Sequence, residues 1–181
     1  MAKSVINIVN VSKSFVNKIL LDKVNLLIEE KSKIGMIGRN GAGKTTLIKI
    51  LMGEEEADDG EVIFSDEVKI GYLSQGANFD ETEKVLDYLM RATNKESWAC
   101  SKIASRFGID HIKVNYNIGD LSSGYRMRIK LSEMMLHEPN FLLLDEPSNF
   151  LDLNTLIDLE NFLLDYKGGF LIVSHDREFL K

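Results

Sequence analysis

Gly38-Arg39-Asn40-Gly41-Ala42-Gly43-Lys44-Thr45 fits the pattern G-x-x-x-x-G-K-[ST] without a mismatch. Before it, Lys33 to Ile37 reads as a strand. After it, Lys44 to Met52 reads as a helix with Leu47, Ile48 and Leu51 on one side. Strand, glycine-rich turn and helix are the setting a phosphate loop requires. The glycines let the backbone turn tightly and aim its N–H groups at phosphate oxygens. The start of the helix adds a favourable partial positive charge. Lys44 is expected to reach the terminal phosphates as a point charge, and Thr45 to offer a hydroxyl to Mg2+.

Further along, Leu142-Leu143-Leu144-Asp145-Glu146-Pro147 is an apolar strand ending in two carboxylates. A carboxylate at the end of a buried strand, beside a phosphate loop, suits Mg2+ coordination. Asp145 is expected in that role. Glu146 points elsewhere as the next residue, and is suited to orient or deprotonate an attacking water.

Outward from these two motifs, the order of elements is α/β. Val5 to Val11 is β-branched and reads as a strand; Val24 to Glu29 reads as another, and Glu61–Phe64 and Lys69–Leu73 as short strands. From Thr82 to Phe107 the periodicity is helical, with Gly108 ending that helix. Ser122 or Ser123 is expected to cap a further helix with the stripe Met127, Leu131, Met134 and Met135, read as core packing. Phe141–Leu144 is apolar throughout, as in a parallel sheet covered on both faces. Leu156, Leu159 and Leu163 mark a helix, and Gly169–Val173 another buried strand. A helical insertion is expected over about residues 76 to 135. Trp98 is read as packing, and nothing lifts His111 and His137 above ordinary polar residues.

Length and composition agree. At 181 residues, 44% hydrophobic and 28% charged, the chain suits one soluble globular domain. One cysteine cannot form an internal disulfide framework or a cysteine zinc cluster, which fits a reducing, cytoplasmic setting. No apolar run approaches the ~20 residues that span a bilayer, and the N-terminus lacks the long apolar stretch of a signal peptide. A net charge of -6 argues against broad nucleic-acid binding, and no direct DNA partner is expected. The run Glu54 to Gly60 reads as a solvated acidic turn.

Four more features go beyond a generic phosphate-loop protein: Gln75 after a strand in Gly-Tyr-Leu-Ser-Gln, Leu121-Ser122-Ser123-Gly124-Tyr125, Leu151-Asp152 after the acidic pair, and Ser174-His175-Asp176 after the last strand. Their order resembles the ATP-binding-cassette ATPases, whose nucleotide domains carry a phosphate loop, Gln loop, signature, acidic strand end, Asp loop and His loop. The resemblance covers nearly the whole chain. It implies a P-loop NTPase core of ABC type, with an N-terminal antiparallel β subdomain and a helical subdomain insertion. Residues 1–181 would form a single nucleotide-binding domain, with 76–135 as the helical subdomain.

The resemblance also assigns roles. ATP and Mg2+ are the implied ligands. Gly38, Asn40, Gly41, Gly43, Lys44, Thr45 and Thr46 would hold the phosphates. Thr45, Gln75 and Asp145 would serve Mg2+. Glu146, His175 and Gln75 would be catalytic, with His175 touching the γ-phosphate. Ser122 and the backbone of Gly124 would bind the γ-phosphate of a nucleotide held by a second ABC domain, and Asp152 would lie at that contact. Phe15 matches an aromatic position that stacks on adenine, and a core-filling role stands beside it as an equal alternative. Such domains pair head to tail around two ATP molecules, so one cassette implies a homodimer or a tandem partner. The usual signature is L-S-G-G-Q. Here Ser123 and Tyr125 depart from it, which bears on the rate of hydrolysis more than on ATP binding.

Glu146-Pro147-Ser148-Asn149-Phe150-Leu151-Asp152-Leu153 and Ser174 to Leu180 look most like the ABC-F branch, tandem cassettes without a membrane domain. Those proteins bind the ribosome, acting in translation or in protection against ribosome-targeting antibiotics. On that resemblance the chain is expected to be one cassette of a longer protein, ending before the rest of the fold. Two alternatives remain: the ATP-binding subunit of a membrane transporter, and an ATP-gated dimerisation module with little hydrolysis.

Overall fold

A computed structural model of the chain describes residues 3–16, 18–73, 79–148, 151 and 153–175. The chain divides into two compact units.

The first unit takes residues 1–70, 140–147 and 167–181. Its antiparallel sheet runs in the order β2-β1-β4, from β1 (Ser4–Phe15), β2 (Lys18–Glu29) and β4 (Asp59–Phe64). Ile6 and Ile8 of β1 are fully buried; a register shift at the left-handed Asn10 (φ 51°) then moves the covered face to Val11 and Lys13, with Asn10 and Ser14 exposed. Three further strands run parallel in the order β3 (Lys33–Ile37), β7 (Gly169–Ser174) and β6 (Phe141–Asp145). The pairing sets Ile37 opposite Ser174 and Asp145 opposite Val173. The carboxyl ends of the three strands therefore lie side by side, where open α/β sheets hold ligands. All five residues of β6 are buried, which explains its unbroken apolar run. Helix α1 (Lys44–Leu51) follows β3 across the phosphate loop and buries Leu47, Ile48, Ile50 and Leu51.

The second unit takes residues 71–139 and 148–166, and β5 (Ile70–Leu73) leads the chain into it. It contains α2 (Val85–Thr93), α3 (Ser97–Arg106), α4 (Ser123–Leu136) and α5 (Leu153–Asp165). Val85, Leu89, Cys100, Ala104, Ile109, Ile118 and Ile129 form its apolar core.

Three expectations are corrected here. The helical run from Thr82 to Phe107 is two helices, because Asn94 takes a left-handed conformation (φ 53°) that ends α2. Ile129, Leu131, Met134 and Leu136 are buried on α4, while Met127 and Met135 are only half-buried. Trp98 is not packed away: it is 69% exposed.

Candidate functional site

The loop from Gly38 to Gly43 turns on glycines with positive φ, 75° at Gly41 and 91° at Gly43. Gly43 is the N-cap of α1 and supplies no side chain to it. The first-turn amides of a helix have no acceptor within that helix, so they face the loop as donors. Asn40 is exposed in the turn, and Thr46 is half-buried one residue after Thr45. Lys44 is only 9% exposed. Its ammonium donates to the carbonyls of Gly38 (2.7 Å) and Arg39 (3.2 Å), which keeps the side chain curled back over its own loop.

The two carboxylates at the end of β6 separate as their adjacency requires. Asp145, 2% exposed, accepts a bond from the Thr45 hydroxyl at 3.4 Å. Burial pushes its carboxyl above the usual carboxylate range, with the Thr45 bond opposing and the Glu146 charge adding to the rise. Glu146, 6% exposed, lies 3.8 Å from the Lys44 ammonium through Oε1. Its Oε2 is 2.7 Å from His175 Nδ1 and accepts the His175 amide at 3.2 Å. Its own amide donates to the Val173 carbonyl at 2.8 Å, and its backbone is left-handed (φ 49°). A non-glycine residue seldom adopts that conformation, and such strain gathers at functional sites.

Lys44, Thr45, Asp145, Glu146 and His175 thus converge at the carboxyl ends of β3, β6 and β7. The cation and amides can hold a polyphosphate. Glu146 has the reach of a base, with His175 fixing its carboxylate. A hydroxyl and an adjacent carboxylate, both hard oxygen donors, fit Mg2+, which commonly takes one or two protein oxygens and completes its shell with phosphates and water. Among the described residues no group of three or more His, Cys, Asp or Glu is arranged to hold a metal ion by itself.

Phe15 lies at the end of β1 and is 45% exposed, so it is not core filler. The Lys13 ammonium is 5.2 Å from its ring centre. In the second unit, Ser122 is the N-cap of α4 and makes no side-chain bond to its own helix. Ser122 and Ser123 are exposed while Gly124 is buried. Arg126 donates to the carbonyls of Leu121 (3.3 Å) and Gly119 (3.2 Å), fixing the approach to that helix start. Gln75 and Asp152 lie outside the described residues.

Sequence reasoning missed two lysines of the first unit. Lys13, 9% exposed, bonds Glu55 (2.7 Å), Asp58 (3.2 Å) and the Glu56 carbonyl (2.7 Å). Lys18 donates to the Gly41 carbonyl at 2.8 Å. Lys13 falls on the buried alternation after Val11, and a charge at such a position signals a paired cation. Nothing local marks Lys18.

A sequence model of the family described as "ABC transporter" matches residues 21–149. The chain is 35% identical over 185 residues to the ATP-binding protein Uup of Buchnera aphidicola subsp. Acyrthosiphon pisum (strain APS), covering 98% of this chain and 31% of that protein. It is 34% identical over 184 residues to the energy-dependent translational throttle protein EttA of Escherichia coli (strain K12), covering 97% of this chain and 33% of that protein. The chain therefore spans about a third of the length of these relatives. Among solved structures, an inward-facing metal-chelate type ABC transporter aligns with TM-score 0.86 at 19% identity, over 98% of this chain and 75% of its own. A dimeric bacterial ABC transporter cassette aligns with TM-score 0.78 at 22% identity, over 96% and 89%. At these identities the structures establish the fold.

Proposed function

The chain belongs to the ATP-binding cassette (ABC) family, and on that premise we propose that it binds ATP with Mg2+ and hydrolyses it to ADP and phosphate. The observation that carries this reading is the convergence of Lys44, Thr45, Asp145 and Glu146 on one phosphate loop. Lys44 and the loop amides hold the β- and γ-phosphates. Thr45 and Asp145 would hold Mg2+, which would supply positive charge against the phosphate oxygens. Glu146 accepts a proton from the attacking water while the bond to the γ-phosphorus forms and ADP leaves with the broken bond's electrons. His175 keeps the Glu146 carboxylate aimed. Phe15 stacks on the adenine. Gln75 senses the γ-phosphate.

Residues 1–181 act as a single nucleotide-binding domain, with residues 76–135 as its helical subdomain. Ser122, Gly124 and Asp152 face the nucleotide of a second ABC domain, and the two domains close head to tail around ATP. The position of Ser122 at the start of α4, where its side chain caps no amide of that helix, supports this. The protein is an ABC-F cassette working at the ribosome in the cytoplasm. Similarity to a translational throttle protein supports that assignment. No helix among the described residues is long and apolar enough to cross a membrane.

Glu146→Gln tests the chemistry. ATP affinity should persist, phosphate release should fall by about 10²-fold or more, and ATP-dependent dimers should accumulate in gel filtration. Equal, slow turnover by wild type and variant would show that the chain does not act by hydrolysis. Pelleting of the ATP-loaded variant with ribosomes tests the setting, and co-purification with a membrane protein instead would assign it to a transporter.

A further inference from the structure

The β1–β2 hairpin ends beside the phosphate loop. Phe15 and Lys18 are paired across it, so both side chains leave the same face. Lys18 donates to the carbonyl of Gly41, in the middle of the loop, at 2.8 Å. Phe15 is backed by Lys13, which Glu55, Asp58 and the Glu56 carbonyl hold in place. Asp58 also accepts the Ser14 amide at 2.7 Å, fixing the strand just before the ring. Val16 is 100% exposed and left-handed (φ 51°), an unfavourable conformation for a β-branched residue.

We propose that Lys18 is a positioning residue for nucleotide recognition: its bond to Gly41 sets the distance between the Phe15 ring and the phosphate loop. This rests on the reading above that Phe15 stacks on the base. A nucleoside triphosphate has two ends, a base and a polyphosphate. They bind as one ligand only when the two subsites keep the matching separation. Lys18 ties the base platform to the phosphate site by a contact made to backbone, which leaves the loop's own donors aimed at phosphate.

The test compares binding of Mg2+-ATP and of inorganic tripolyphosphate with Mg2+ by calorimetry, using the full chain. Lys18→Met should weaken ATP by about fivefold, the upper range for an exposed charged contact, and leave tripolyphosphate unchanged. Lys18→Arg, which keeps a donor, should recover most of the loss. In a Phe15→Ala background, Lys18→Met should cost nothing more, because there is no ring left to place. If Lys18→Met weakens both ligands equally, Lys18 serves the phosphates and not the base platform. If ATP binding ignores Lys18→Met while Phe15→Ala weakens it, the tie is idle and the inference fails with the stacking reading intact. If Phe15→Ala leaves ATP affinity unchanged, the stacking reading fails first.

Discussion

Replacing Gly43 by alanine should damage the phosphate loop in a way that can be computed from the backbone. Gly43 sits at φ 91°, and a Cβ built there lies 2.8 Å from the Leu20 carbonyl oxygen and 3.2 Å from Leu21 Cδ2. Two costs add. Holding an L-residue in the left-handed region costs about 1–2 kcal/mol. The close contact is with backbone of β2, which no rotamer change relieves, and overpacking of this kind costs about 1–3 kcal/mol. Together about 3 kcal/mol is expected, a fall of about 6–12 °C in Tm for a chain of this size. Because the strain falls at the N-cap of α1, relief must tilt the first-turn amides, and ATP affinity should drop by about tenfold or more. Gly53→Ala is the comparison. Gly53 also has positive φ (70°), yet a Cβ there meets nothing within 4 Å. It should cost only about 1 kcal/mol and leave ATP binding unchanged. Melting curves with and without Mg2+-ATP, beside calorimetry on both variants, decide the matter. Equal melting of the two variants, or wild-type affinity in Gly43→Ala, would refute the backbone contact as the reason glycine is needed.

Other outcomes follow from the same geometry. Lys44→Ala removes the loop's buried cation and should reduce ATP affinity by about 10²-fold, near 3 kcal/mol for a charge-assisted contact; unchanged calorimetry would contradict that role. Asp145→Asn should stabilise the nucleotide-free protein at neutral pH, raising Tm by about 2–4 °C per kcal/mol relieved, while removing the Mg2+ dependence of ATP affinity. The sign follows from the raised folded-state pKa: Asp145 favours folding most when protonated, and that contribution is lost as pH rises through the folded value. The stability gain of Asp145→Asn should accordingly shrink toward acid pH, and a gain that is flat with pH would argue against burial of the charge.

Much of the site was legible because its parts are local. The phosphate loop needs eight consecutive residues, and the acidic pair needs one apolar strand and its end. Contacts over long sequence separations were not legible. Lys13 meets Glu56 across 43 residues, and Lys18 meets Gly41 across 23. β1 and β2 run further toward their shared turn than their β-branched stretches suggest, since Lys13, Ser14 and Lys18 carry no apolar signal there. The break at Asn94 was hidden for a different reason. Val85 and Leu89 before it, and Cys100 and Ala104 after it, enter the same core, so the apolar period survives the change of helix. Trp98 was misread from residue type alone: a large aromatic side chain on α3 lies at the surface.

Left-handed geometry at Glu146 has an evolutionary edge. Glycine or asparagine would sit at φ 49° more comfortably than glutamate, so selection for heat resistance alone should drift toward those residues at position 146. A thermostability screen blind to turnover would therefore enrich inactive proteins there, and the position would mark where durability and chemistry pull the lineage apart.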